Sequence, residues 1–269
     1  YPLSLHLVEM PQKNKKEDKQ ALDTIDISGL KWRHIGPSLT SGRISDVAVN
    51  PNNPFEYYVA SSAGGVWKTS NSGVTFTPVF DNEGSYSIGC ITIDPNNSNT
   101  IWVGTGEGNP RNSLNGGYGI YKSLDGGKHW ISMGLEKTRH IHRIVIDPTN
   151  PAIIYVAAIE SPWGEHAERG IFKTTDGGQT WNKILFTNNK SGAADLIMDP
   201  TNPNKLIAAM WEHKRDPWFF NSGGEGSGLF LTHDGGKTWH KIDENDGFPK
   251  GTLGRIGVAI ARNKPNIIY

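Results

Sequence analysis

The 269 residues carry 27 Lys+Arg against 27 Asp+Glu, a formal net charge of zero, so no long-range field draws the chain to nucleic acid or to an anionic membrane surface. With 32 Gly, 16 Pro and 9 Trp the composition points to short turns and aromatic packing rather than helices, and no apolar run approaches the roughly 20 residues of a membrane-crossing helix. The single cysteine, Cys90, excludes an internal disulfide framework; in the apolar run 88–93 it reads as a small buried side chain, not a nucleophile.

The chain starts at Tyr1 rather than Met and reads as a processed or trimmed part of a longer protein. Residues 1–28, with the charged stretch 13–19, read as a solvated N-terminal extension or linker. Residues 29–36 hold Trp32 and Ile35 in an aromatic-x-x-apolar pattern, expected to be a closing strand that completes another blade and removes an open sheet edge.

A repeat then begins. Its most specific mark is Ser/Thr-x-Asp-x-Gly-x-x-Trp, found around Asn71 with Phe76, Asp125 with Trp130, Asp176 with Trp181, and Asp234 with Trp239. The closing aromatics stand 54, 51 and 58 residues apart, a period that fits a four-stranded propeller blade. A second mark keeps step: Asx-Pro turns at Pro51, Pro95, Pro148 and Pro200, each between two apolar strands. Each unit therefore reads as strand A, the Pro turn, strand B, a variable loop, strand C, the Asp turn and strand D. The expected fold is an all-β propeller of four-stranded antiparallel blades at 43–80, 86–134, 141–186 and 193–243, with a fifth begun at 254–269 and the ring incomplete in this segment.

At these motifs the chain resembles the Asp-box (BNR) propeller superfamily. Runs such as Gly64-Gly65-Val66-Trp67 and Gly104-Thr105-Gly106-Glu107 resemble large exported bacterial proteins described as glycosyl hydrolase-like or sortilin (VPS10)-like propellers. The resemblance implies a structural Asp box, whose Asp accepts backbone N–H groups across the turn while its aromatic plugs between neighbouring sheets. Asn71 fits a turn role and not a catalytic one. The resemblance also implies an acidic residue after the first strand B in xyloglucan-cleaving relatives; the matching position here is Ser62. The Arg-Ile-Pro element of sialidases is absent, although Arg43, Arg143 and Arg255 each precede Ile.

Because the Pro turns and Asp boxes share one face, the B-to-C loops lie on the other. Arg43, Arg143 and Arg255, near the starts of the innermost strands, either hold an anionic group bidentately or line the channel in ion pairs. Their offsets to the next turn are unequal, so their registers differ. Glu107, Glu160 and Glu212 lie twelve residues after their turn prolines, at the mouth of the variable loops. They either anchor loop backbones, bind a cation or supply general-acid chemistry, and are the catalytic candidates. The loops themselves carry Arg111, Tyr118, Trp163, Arg169, Arg215, Trp218, Phe219 and Phe220, residues that either bind sugar rings or peptide side chains or pack the loops onto the blade tops. His140, His142, His166 and His213 lack metal-ligand spacing, and the Gly104–Gly108 run is too short for a dinucleotide loop, so no metal or cofactor is expected.

The resulting expectation is an extracytoplasmic recognition scaffold that binds a protein segment or glycan on the loop face, as part of a larger chain or of an outer-membrane or surface complex. The alternative is a glycoside hydrolase with part of its site in blades beyond residue 269.

Overall fold

In the structure, a computed structural model that describes residues 42–109 and 111–269, four successive antiparallel sheets follow one plan. The expected linker at 1–28 and closing strand at 29–36 lie outside the described residues. The first sheet runs β1 (Ile44–Val49), β2 (Tyr57–Ser61), β3 (Gly65–Thr69), β4 (Thr77–Pro78), and the second β5 (Ile88–Asp94), β6 (Asn97–Thr105), β7 (Ile120–Ser123), β8 (Ile131–Ser132). The third runs β9 (Ile141–Ile146), β10 (Ile154–Ala158), β11 (Gly170–Thr174), β12 (Asn182–Leu185). The fourth holds β13 (Ser191–Asp199), β14 (Asn202–Asp216), β16 (Gly228–Thr232) and β17 (His240–Ile242), with β15 (Phe219–Ser222) folded back on β14 outside the four-stranded path. The first strands β1, β5, β9 and β13 lie side by side, as the inner strands of propeller blades do.

Both turn types form as their residues dictate. Asn50, Asp94, Asp147 and Asp199 each accept the N–H two residues on, closing an Asx turn at the Pro. In the boxes, Asp176 Oδ1 accepts the Thr174 hydroxyl at 2.6 Å and the Thr180 N–H at 3.0 Å, and Asp234 repeats this with Thr232 and Thr238. Asn71 makes the matching bonds to Thr69 and the Thr75 N–H, so an amide suffices. The box also needs a glycine. Gly178 has φ +98°, and a Cβ there would stand 2.7 Å from the Trp102 ring.

Blades are tied to each other through these boxes. The Trp130 indole donates to Val79 O at 2.6 Å and the Trp181 indole to Met133 O at 2.7 Å, each a strand-D carbonyl of the preceding blade. From the other side, the Tyr58 hydroxyl and Lys68 ammonium both reach Gly126 O, and Tyr155 with Lys173 reaches Gly235 O. Phe76 has no N–H and meets Tyr57 edge-on instead, at 6.0 Å. Between blades lie continuous apolar clusters: Tyr58, Phe80, Ile91 and Ile101 at the first junction, Trp102, Ile141, Ile154 and Phe172 at the second, Tyr155, Leu196, Leu206 and Phe230 at the third.

The expected start of a fifth blade is a short pairing, the bridge between Ile260 and Ile268, with Ala259 and Tyr269 exchanging backbone bonds at 2.9 Å. Ile256, Val258 and Ile260 pack against Ile207 and Leu229. Among the described residues no helix is long and apolar enough to cross a membrane.

The box carboxyls make the fold acid-sensitive. The His129 N–H on Asp125, the Thr174 hydroxyl on Asp176 and the Thr238 hydroxyl on Asp234 hold these carboxyls well below the usual carboxylate range. A depressed folded pKa contributes stability that is complete above the unfolded value, about 4, and drains away as pH falls further. Replacing all three Asp by Asn removes that dependence while keeping the turn bonds seen at Asn71. The fall in melting temperature between pH 5 and pH 2, followed by circular dichroism, is therefore shallower in the triple variant than in the parent.

Candidate functional site on the loop face

Every inner strand carries a β-bulge near its start, at Ser45, Gly89, His142 and Ala194, where the register against the second strand slips. A bulge re-aims the residue that follows it. Those residues are Asp46, Cys90, Arg143 and Asp195, and three of them tie neighbouring inner strands together. Asp46 Oδ2 accepts the Ile91 N–H, Asp195 Oδ2 accepts the Val258 N–H, and Arg143 Nε pairs with Asp195 Oδ1, each at 3.1 Å. Cys90 is buried, and burial pushes its thiol far above the usual range, which removes it as a nucleophile.

The three glutamates at the loop mouths do different work. Glu160, at φ +61°, accepts the Arg139 N–H at 2.8 Å and the Ser161 N–H at 3.1 Å, pinning its own loop to the segment entering β9. Glu212 accepts from Asn188 Nδ2 and the Gly226 N–H, a similar anchor for the segment entering β13. Glu107 is 1% exposed and faces guanidiniums instead: it pairs with Arg43, and Arg111 Nε lies 3.5 Å from the same oxygen.

The arginines divide in the same way. Arg43 also reaches Asn109 O, and Arg255 donates to Asn109 Oδ1 and meets His142 Nε2, both at 3.0 Å. Arg43, Arg111 and Arg255 thus gather around residues 107–109, while Arg143 is held by Asp195. Arg169 is fully buried and both its terminal nitrogens are occupied: they clamp Ser161 O, Gly164 O and Lys190 O and meet His213 Nδ1. Burial lowers Arg169 to about 10 and His213 to about 3, so the ring is neutral and accepts from the guanidinium.

Around this platform the loops present aromatic side chains. The long hairpin of β14 and β15 projects past its sheet, and Trp218 at its tip is 87% exposed, with Phe219, Trp163 and Tyr118 also exposed. Phe220 turns inward, edge-on to Trp211 at 5.8 Å with the Arg215 guanidinium 4.3 Å over its ring. The Arg215 N–H bonds Pro162 O and ties the hairpin to the Trp163 loop. A cleft of about 310 Å³ opens between them, lined by Glu165, Lys190, Glu212, His213 and Asn221. Nothing in the spacing announced the β15 hairpin, in which Arg215 pairs with Phe220 and Asp216 with Phe219 across the Pro217-Trp218 turn. Among the described residues no three His, Cys, Asp or Glu side chains are placed to hold a metal.

Arg43 and Arg111 share one buried carboxylate, so each covers for the other. Arg43→Ala or Arg111→Ala alone costs roughly 1 kcal/mol or less, since both are half-exposed partners. The double variant strands Glu107 without a cation and costs roughly 3–5 kcal/mol, a non-additivity that urea denaturation of the four-member cycle measures directly.

The chain matches known proteins along most of its length. It is 26% identical over 231 residues to a xyloglucanase of Paenibacillus sp, covering 76% of this chain and 21% of that protein. It is 27% identical over 252 residues to a probable oligoxyloglucan-reducing end-specific xyloglucanase of Neosartorya fischeri, covering 80% of this chain and 29% of that one. The chain therefore spans less than a third of either relative's length. Among solved structures it superposes on a GH74 enzyme of Niastella koreensis with TM-score 0.55 and 26% identity, covering 72% of this chain and 28% of that one. An ancestral GH74 enzyme gives TM-score 0.64 at 21% identity, covering 86% and 29%. The expectation of a non-catalytic recognition scaffold is corrected by these relatives, which are glycan-cleaving enzymes; a propeller with exposed loop aromatics serves either role, and the fold alone did not separate them. The family model described as Sortilin-Vps10, "Sortilin, neurotensin receptor 3", matches residues 118–263, more than half of the 269, and the chain belongs to that family.

Proposed function

We propose that this chain forms one side of the glycan cleft of an extracytoplasmic glycoside hydrolase that acts on β-glucans of the xyloglucan class. Part of its site would lie in blades beyond residue 269. The similarity to xyloglucanases across 76% and 80% of the chain carries the reading. The loop face supports it. Trp218, Phe219, Trp163 and Tyr118 offer flat apolar surfaces on which sugar rings stack, on loops pinned by Glu160, Glu212 and Arg169.

Glycoside hydrolysis needs two carboxyl groups flanking the scissile bond. Ser62 is buried, its hydroxyl has no hydrogen-bond partner, and it carries no carboxyl. Glu107, at the exit of β6 in the next blade, is a carboxyl at the inner end of the loop face, whereas Asp46 and Asp195 on the inner strands are engaged by the Ile91 and Val258 N–H groups. Held by Arg43, it suits the nucleophile or base role, and a second carboxyl supplies the proton to the leaving oxygen.

The test is reducing-sugar release by the full-length protein from xyloglucan, its oligosaccharides and an unsubstituted β-glucan. Glu107→Gln lowers kcat by roughly 10²–10⁴-fold at little cost in KM. Trp218→Ala raises KM by about tenfold with kcat nearly unchanged, the signature of lost binding shared by ground and transition states. Absence of hydrolysis on all three substrates by the full-length protein sinks the reading.

A further inference from the structure

The three arginines around residues 107–109 are more than the platform needs. They arrive from separate stretches: Arg43 just ahead of β1, Arg111 after β6, and Arg255 from the segment that packs on the fourth sheet. One carboxylate, Glu107, answers Arg43 and Arg111; Arg255 hydrogen-bonds the neutral acceptors Asn109 and His142, lies 5.5 Å over the Trp211 ring, and feels the Asp195 carboxylate only at a distance, with no ion pair to it. His142 adds no opposing charge, because burial, reinforced by Arg255 and Arg143, holds its ring at about 4 and hence neutral. Arg143 is already matched by Asp195.

Three guanidiniums share one directly paired carboxylate, which leaves a local excess of positive charge on a chain whose formal net charge is zero. The excess is strained. Arg43 is pushed below the usual guanidinium value by its desolvation and by Arg111 beside it. Yet the Arg43 and Arg111 side chains are 43% and 44% exposed, so a ligand can reach them. Guanidinium forks are planar and bind a planar carboxylate through paired N–H groups, and Arg43 and Arg111 already share Glu107 in this cluster.

We propose that the cluster of Arg43, Arg111 and Arg255 binds the carboxylate of a uronic acid residue in an acidic glycan. The proposal rests on the glycan reading of the loop face and sharpens it: the preferred substrate carries uronic acid substituents on a β-linked backbone. The carboxylate supplies the countercharge that the fold withholds, and Asn109, which accepts from Arg43 and Arg255, sets their spacing.

Calorimetric titration of the full chain with a glucuronic acid-bearing oligosaccharide, its neutral counterpart, free glucuronate and inorganic sulfate tests this. The acidic oligosaccharide is expected to bind at least about tenfold tighter than the neutral one, an advantage lost in Arg111→Gln while neutral affinity is kept. Arg111 is half-exposed and outside every strand, so the variant keeps its fold, which its melting temperature checks; Arg255→Gln repeats the loss independently. Equal affinity of the wild-type chain for the acidic and neutral oligosaccharides overturns the proposal, as does sulfate outbinding glucuronate. Arg111-dependent binding of glucuronate by a chain that binds no oligosaccharide keeps the carboxylate site and defeats the glycan reading. If neither glucuronate nor the acidic oligosaccharide binds, the proposal fails whatever the hydrolysis assay shows.

Discussion

A propeller blade cannot bury either of its faces alone, and the contact that ties the first three blades together here is the box turn wedged between neighbours. One arm is the indole of Trp130 or Trp181, donating backwards to the strand-D carbonyl of the blade before, a bond the Trp239 indole does not make. The other is a hydroxyl or ammonium reaching forwards to a box glycine carbonyl, Tyr58 and Lys68 to Gly126, Tyr155 and Lys173 to Gly235. At the middle junction Trp102 takes the tyrosine's place, with the Lys122 ammonium 4.8 Å over its ring and the Gly178 backbone against its edge. Each such bond nets only about 1 kcal/mol, but leaving one of these carbonyls unpaired inside a blade junction costs more. The ties therefore specify the angle between blades, while the apolar clusters supply most of the energy.

The fourth blade departs from this rule in an informative way. Where the earlier blades have Tyr or Trp with Lys, it has Ile207 and Leu231, and the segment 248–260 lies against them through Phe248, Ile256, Val258 and Ile260. A purely apolar junction has no directional bond to set its angle. Its alignment falls instead to the inner strands, where Asp195 accepts the Val258 N–H as Asp46 accepts the Ile91 N–H. The same segment carries Arg255, so the geometry of the arginine cluster depends on an apolar junction aligned by the Asp195 bond to Val258 and by Lys205 reaching Pro265 O.

Much of this fold was legible because repeats repeat their chemistry locally. The Asx-Pro turns and the boxes are closed by bonds within four residues, and a single sequence records them in full. What escaped is long-range. Glu107, Glu160 and Glu212 share a spacing, but their partners come from elsewhere: Arg43 for the first, the Arg139 and Gly226 backbones for the others. The arginines that precede Ile looked alike and are not equivalent. The unequal offsets of Arg43 and Arg143 to their turns arise because Arg43 lies ahead of β1 whereas Arg143 lies inside β9, just past the bulged His142. A bulge inserts one residue and re-aims the next, and nothing in local composition marks it.

Rigid blades with divergent mouths are how such a scaffold acquires a site. In the third and fourth blades the acid at the loop mouth is used up in holding loops, with Arg169 spending both terminal nitrogens on backbone carbonyls and His213. In the second blade the equivalent acid is surrounded by more positive charge than it can match. Holding like charges together in a folded protein has an energetic cost that a purely structural role does not require, and the guanidinium excess is reached from solvent on the face where the loop aromatics stand. The interior partners Asn109 and His142 are neutral acceptors, so the fold orients these donors without quenching them. An oriented, unquenched donor set keeps its attraction for an incoming anion, and little reorganisation remains to be done when that anion arrives.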